Sequence, residues 1–125
     1  MNCRRREIVL VLFPDSNLRT SKRRPVLIVQ ADALGGADLP QTVVAMITSN
    51  MACAGHPSRV IVRVGGQAAA GSGLLMDSVI MTDNLATIQH SEMDRVIGTL
   101  SPSSSRDRRF QLFWAFAGEQ VPRLQ

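Results

Sequence analysis

Apolar positions fall in short runs divided by polar and turn-forming residues, a spacing that suits strands better than helices. Residues 8–13 (IVLVLF) are an unbroken apolar stretch ended by Pro14 and Asp15. With no polar alternation, the stretch predicts a first strand buried on both faces or lying near a barrel seam. Residues 14–24 mix Pro, Asp, Ser, Asn and Thr with cations, the chemistry of a polar and mobile loop. Pro25 pushes Arg24 towards extended backbone, so Arg24 is expected to be the hinge between that loop and a second strand over 26–30. Residues 42–48 (TVVAMIT) predict a third strand whose apolar body belongs to the core and whose end runs into the polar Thr48, Ser49 and Asn50. After Pro57, SRVIVRV predicts a fourth strand with Arg59 and Arg63 flanking its ends. Residues 79–82 (VIMT) predict a fifth, ended by Asp83 and Asn84, and 85–88 (LATI) a short sixth.

Between the fourth and fifth strands, GGQAAAGSG reads as a flexible connection. It lacks the glycine–lysine pattern of a phosphate loop, and no helix follows it. Ser91 with Asp94 three residues on predicts a capped short helix or turn through Leu100. A longer helix follows: Ser101 is its N-cap, Pro102 its first residue and Gly118 its stop. Phe110, Phe113, Trp114 and Ala117 recur at helical spacing, and four of the five aromatics lie in this segment. That stripe is a packing face, for the core or for a dimer partner. The expected architecture is mainly β with α: one domain over 1–125, a small, strongly bent antiparallel sheet or open barrel carrying a C-terminal helix.

Composition narrows the class. With 45% hydrophobic and 19% charged residues the chain is ordinary for a globular protein. No apolar run approaches the roughly 18 residues of a membrane span. A basic triplet ahead of apolar residues imitates a signal peptide, but the apolar stretch is short, β-branched and followed by no small-residue cleavage site, so a cytoplasmic protein is expected. Cys3 and Cys53, His56 and His90 are isolated in sequence, which leaves no visible metal-ligand set, no disulfide framework and no implied cofactor. Charge is concentrated at one end. Residues 1–24 carry seven cations against Glu7 and Asp15, a net of +5, whereas the rest of the chain nets −1. Such a segregation points to an anionic partner docked near Lys22, Arg23 and Arg24.

Read in order, IVLVLFP, SKRRPVLIVQ, VVAMITSN, DSVIMTDNLATI and IGTLSP resemble the MazF/PemK family of toxin endoribonucleases, over residues 7 to about 117. The resemblance implies an SH3-like barrel of CcdB/MazF type acting as a homodimer. It also implies cleavage of single-stranded RNA without a metal, restrained by a cognate antitoxin protein whose extended tail covers the RNA groove. The family's Arg before Pro falls on Arg24 and its Thr ending the I-T strand on Thr48. The acid that serves as a base in some members falls on Asp83. The chain departs in having Arg6 before Glu7 where the family usually has Gly, Met81 where some members have Arg, and no His in residues 14–24. A route built on Arg24 and Thr48 remains available.

Such cleavage uses the substrate's own 2′-OH as nucleophile, so DNA would bind uncut. Arg24 suits stabilisation of phosphorane charge ahead of proton donation, because a guanidinium does not readily give up its proton. Thr48 can donate to a non-bridging oxygen, beside Ser49, and Asp83 is the only acid the motif brings near to take the 2′ proton. Arg19, Ser21, Lys22, Arg23, Ser49 and Asn50 complete the expected RNA-binding set, with the guanidinium planes of Arg19 or Arg23 standing in for absent aromatic stacking partners. Two other readings compete. A toxin of the same fold could instead block a protein target, as the CcdB branch does with DNA gyrase. An SH3-type adaptor for Pro-rich peptides needs an aromatic-lined groove, which the aromatic distribution argues against.

Overall fold

The computed structural model describes residues 3–14, 19, 21–30, 40–56 and 58–100. Six strands follow in chain order: β1 (Glu7–Pro14), β2 (Ser21–Ile28), β3 (Gln41–Thr48), β4 (Arg59–Val62), β5 (Ser78–Gln89) and β6 (Met93–Thr99). They form one sheet in the order β4-β5-β3-β2-β1-β6, and every pairing is antiparallel. The mainly β expectation holds. The helix expected over 101–118 lies outside the described residues.

The unbroken apolar runs are explained by two cores, one on each face of the sheet. Ile8, Leu27, Ala45 and Ile47 pack with Val60, Val62, Ile80 and Leu100. Their neighbours Val9, Val11, Val26, Ile28 and Val44 turn the other way and meet Ile88 and Met93. Successive residues of a strand point to opposite faces, so a strand covered on both sides shows no alternation in its sequence. A fully buried side chain of this size contributes roughly 1.5–3 kcal/mol, and among the described residues twelve Val, Leu and Ile side chains are essentially without exposure, which makes the central strands the rigid frame of the molecule.

Three local expectations are corrected, each by pairing between strands. The basic triplet is not in a loop. β2 begins at Ser21, and Lys22, Arg23 and Arg24 pair with Phe13, Leu12 and Val11 of β1. Pro25 sits inside the strand, opposite Leu10; pairing to β3 covers only Val26–Ile28, so at Pro25 the strand has a partner on one side and the missing N–H is tolerated. The fifth and sixth strands are one. β5 runs for twelve residues, and its register to β3 jumps from Met46↔Met81 to Ala45↔Leu85, so residues 82–84 bulge where the strand bends from one core to the other. Finally, the segment expected as a capped short helix or turn through Leu100 is a turn only at His90–Glu92 and continues as β6. Pairing with β1 gives its backbone partners, and β-branched Val96 and Ile97 favour that outcome.

The glycine-rich connection is also more than a flexible link. Its residues 71–76 lie across β6 as a strap. The Thr99 N–H donates to the Gly71 carbonyl at 2.9 Å, and Gly73 adopts φ +77° against the carbonyl of Ile97. A Cβ on Gly73 would stand 2.3 Å from the Ile97 oxygen, and one on Gly98 would stand 2.3 Å from the Gly71 oxygen. Only glycine lets the two backbones meet this closely.

Candidate functional site

The strap, the end of β3 and the adjoining faces of β2, β1 and β6 enclose an open cavity of about 360 Å³. Its floor is a cross-strand row of Pro25, Leu10 and Arg95, one residue from each of three neighbouring strands. Ile47, Thr48 and Ser49 close one side and residues 73–76 of the strap the other. Arg23 and Arg24 contribute to the lining from β2. Among the described residues the lining thus holds three arginines and no Asp, Glu or His, a field that favours an anion. Apolar Leu74, Leu75 and Met76 along the strap leave it poorly suited to a small hydrated ion alone and suited to an anion attached to a flat or apolar body.

The three arginines are not equivalent. Arg23 Nε lies 3.1 Å from Asp94 Oδ2, so part of its charge is already matched within the protein. Arg24 is exposed, and among the described residues neither it nor Arg95 has an ion pair or hydrogen bond. Thr48 is held in place from behind: its Oγ1 accepts the Asn50 N–H at 3.1 Å. That uses a lone pair and leaves the hydroxyl proton available to donate. Asn50 itself is committed to the backbone, its Oδ1 accepting the Ala52 N–H at 3.1 Å to cap the 3₁₀ turn Met51–Gly55.

Of the residues expected from sequence, Arg23, Arg24, Thr48 and Ser49 converge on this cavity. Lys22 is exposed on β2 and Arg19 is exposed before it, and neither lines the cavity; Ser21 is the first residue of β2. Asn50 stands at its margin as the cap just described. Asp83 is placed elsewhere. It lies on the β5 bulge and takes both Nε and Nη2 of Arg59, at 2.7 and 3.0 Å. The Arg59 hydrogen bonds hold its carboxyl down at about 2, well below the usual range. A carboxylate so acidic and so engaged is a weak base, and it does not line the cavity. Asp83, expected from its motif position to take the 2′ proton, thus stands apart from the Arg24 and Thr48 lining in this structure, because the bulge carries it to Arg59.

Arg95 was missed from sequence, because the polar start of its segment suggested a helix cap. Had β-branched Val96 and Ile97 been read as a strand, Arg95 would have been placed in the sheet, where pairing sets it opposite Leu10. Among the described residues no three His, Cys, Asp or Glu side chains converge as a metal would require. No helix there is long and apolar enough to cross a membrane.

Comparison with known proteins places this geometry. Residues 4–109 match the family described as PemK-like, MazF-like toxin of type II toxin-antitoxin systems. Endoribonuclease MazF6 of Mycobacterium tuberculosis is 32% identical over 92 residues, which cover 74% of this chain and 76% of that protein. Among solved structures, the Mycobacterium tuberculosis toxin MazF-mt6 superposes with a TM-score of 0.64 at 27% identity, covering 91% of this chain and 97% of that one. An endoribonuclease in complex with its cognate antitoxin, from mycobacterial species, shares the fold with a TM-score of 0.64 at 18% identity, covering 96% of this chain and 97% of that one. With a family match spanning most of its length and a relative 32% identical over 74% of it, the chain belongs to the PemK-like, MazF-like toxins of type II toxin-antitoxin systems.

Proposed function

We propose that this toxin is an endoribonuclease that cleaves single-stranded RNA without a metal, with residues 1–125 as one domain, active as a homodimer in the cytoplasm and restrained by a cognate antitoxin protein. Family membership supports the toxin role, and relatives named as endoribonucleases support the chemistry over a gyrase-directed alternative. The observation that carries the reading is that one cavity, with no carboxylate among its described lining residues, brings together Arg24 and Thr48, whose hydroxyl proton is free to donate.

In this reading a phosphodiester enters the groove with its non-bridging oxygens towards Arg24 and Thr48. The 2′ oxygen bonds to phosphorus, the bond from phosphorus to the 5′ oxygen breaks, and the products are a 2′,3′-cyclic phosphate and a 5′-hydroxyl. Negative charge grows on the non-bridging oxygens as the phosphorane forms, and the guanidinium stabilises it without having to reorganise. Thr48 adds a second donor on the same oxygens. With no carboxylate or imidazole among the described lining residues, the 2′ proton leaves to solvent water or to a phosphate oxygen, and the 5′ oxygen is reprotonated from water. Catalysis in this site is electrostatic first. Arg19, Ser21 and Lys22 flank the groove as outlying backbone contacts, with Ser49 inside it and Asn50 supporting Thr48.

The test incubates purified protein with a long RNA and with single-stranded DNA of the same sequence, both in EDTA. RNA fragments ending in 2′,3′-cyclic phosphate, with the DNA intact, support the reading; cleavage of the DNA, or RNA ends bearing 3′-hydroxyl, overturns it.

A further inference from the structure

Arg95 plays no part in the cleavage step described above, yet the fold builds a place for it. It stands on β6 opposite Leu10, while Arg24 stands on β2 opposite the next residue, Val11. The two arginines stand on either side of β1, about two strand spacings or roughly 10 Å apart at the backbone, and, since Leu10 and Val11 face opposite ways, Arg24 reaches the cavity from the end of β2 that β3 leaves uncovered. Both line the same cavity, and both lack an ion pair among the described residues. Asp94, next to Arg95 in sequence, is engaged with Arg23 at 3.1 Å and so leaves the Arg95 charge unmatched. The strap pinned on Ile97 and Thr99 forms a wall beside that guanidinium, which makes the recess a feature of the packed fold.

Resting on the ribonuclease reading, we propose that Arg95 is a substrate-binding residue that holds the backbone phosphate adjacent to the one cleaved at Arg24. A backbone separation of that order leaves room for the two residues to hold different phosphates of one strand. The groove then recognises a dinucleotide step, with the strand crossing β1 from β2 to β6. Arg23, partly neutralised by Asp94, orients the edge of the groove and contributes less net charge to the substrate.

The experiment measures binding of a single-stranded oligonucleotide made uncleavable by 2′-deoxy substitution, at several salt concentrations, to the wild type, Arg95→Ala and Arg95→Lys. Arg95→Ala should bind about tenfold more weakly, as loss of one charge-assisted contact implies. Its dependence of log affinity on log salt should be shallower by about 0.7, the increment for one phosphate of a single strand. Arg95→Lys should keep the slope. Single neutral methylphosphonate linkages then locate the contact: at one position beside the scissile bond, neutralisation should weaken the wild type as much as Arg95→Ala does, and cost Arg95→Ala nothing more. An unchanged affinity and slope in Arg95→Ala, or losses that add at every linkage, overturns the assignment of Arg95 while RNA cleavage by the wild type stands. If the wild type neither binds nor cuts RNA, the ribonuclease reading falls and this one with it.

Discussion

Gly98→Ala is a one-methyl perturbation whose effect can be worked from geometry. The added Cβ would stand 2.3 Å from the Gly71 carbonyl oxygen and 2.4 and 2.5 Å from the carbonyl carbon and oxygen of Ser72. All three neighbours are backbone atoms of the strap, so no flexible side chain can give way. Either β6 or the strap must move by roughly an ångström to restore van der Waals contact at about 3.5 Å. Overpacking of this kind costs about 1–3 kcal/mol. Taking about 2 kcal/mol for a chain of this length, the melting temperature should fall by roughly 8 °C. The strap also carries Leu74, Leu75 and Met76 along the cavity wall, so RNA cleavage should weaken at temperatures where the variant is still folded. The control is Gly55→Ala, where no atom lies within 4 Å of the added Cβ and the melting temperature should hold or rise slightly. Differential scanning calorimetry of both variants, with cleavage assayed well below each transition, reads the result. A Gly98→Ala melting temperature within a degree of wild type would mean that the strap does not rest on β6, and the cavity as described would lose one wall.

Thr48→Val replaces the hydroxyl with a methyl of similar shape, removing one donor to the phosphate and the acceptor of the Asn50 N–H. RNA cleavage should fall about 10²-fold, by analogy with loss of a single oxyanion donor, with stability reduced by only about 1 kcal/mol because Asn50 is near solvent. Asp83→Asn should leave the cleavage rate at pH 7 within about threefold of wild type, against the 10²–10⁴-fold loss expected of a general base. The same variant should report on acid stability. The folded carboxyl, at about 2, lies below its ordinary 3.8, so the contribution of the Arg59 pair is complete above that ordinary value and is lost as pH falls through about 2. The small melting-temperature gap between wild type and Asp83→Asn at pH 7 should therefore close in strong acid, and a gap that widened there would contradict the ion pair.

Legibility in the sequence followed burial. β1, β3 and β4 are bounded by turn residues and filled with β-branched side chains, so their apolar runs identified them. The first half of β2 was not legible, because Lys22, Arg23 and Arg24 have no strand preference of their own and are extended only by pairing with β1. The length of β5 was hidden for a related reason: Thr82, Asp83 and Asn84 look like a turn, and in the fold they are a bulge inside one continuous strand. β6 was obscured by a polar opening that mimics a helix cap. The site divided in the same way. Arg24 and Thr48 stood out through their motifs, R-P and I-T-S, whose neighbours in sequence are also their neighbours in space. Arg95 lies seventy-one positions beyond Arg24 and is joined to the groove only through β1, a relation that no local pattern carries.

The central claim is that Arg24 faces a phosphodiester cleaved by its own 2′-OH, and a single oligonucleotide pair tests it most directly. Once a cut site has been mapped, the same RNA is made with one 2′-deoxy nucleotide on the 5′ side of the scissile bond and offered to wild type and Arg24→Ala. Wild type should cut the all-RNA strand, spare the strand lacking that one hydroxyl while still binding it, and lose about 10²–10³-fold of its rate in Arg24→Ala. Cutting at the deoxy position, or full activity in a folded Arg24→Ala, would contradict the account.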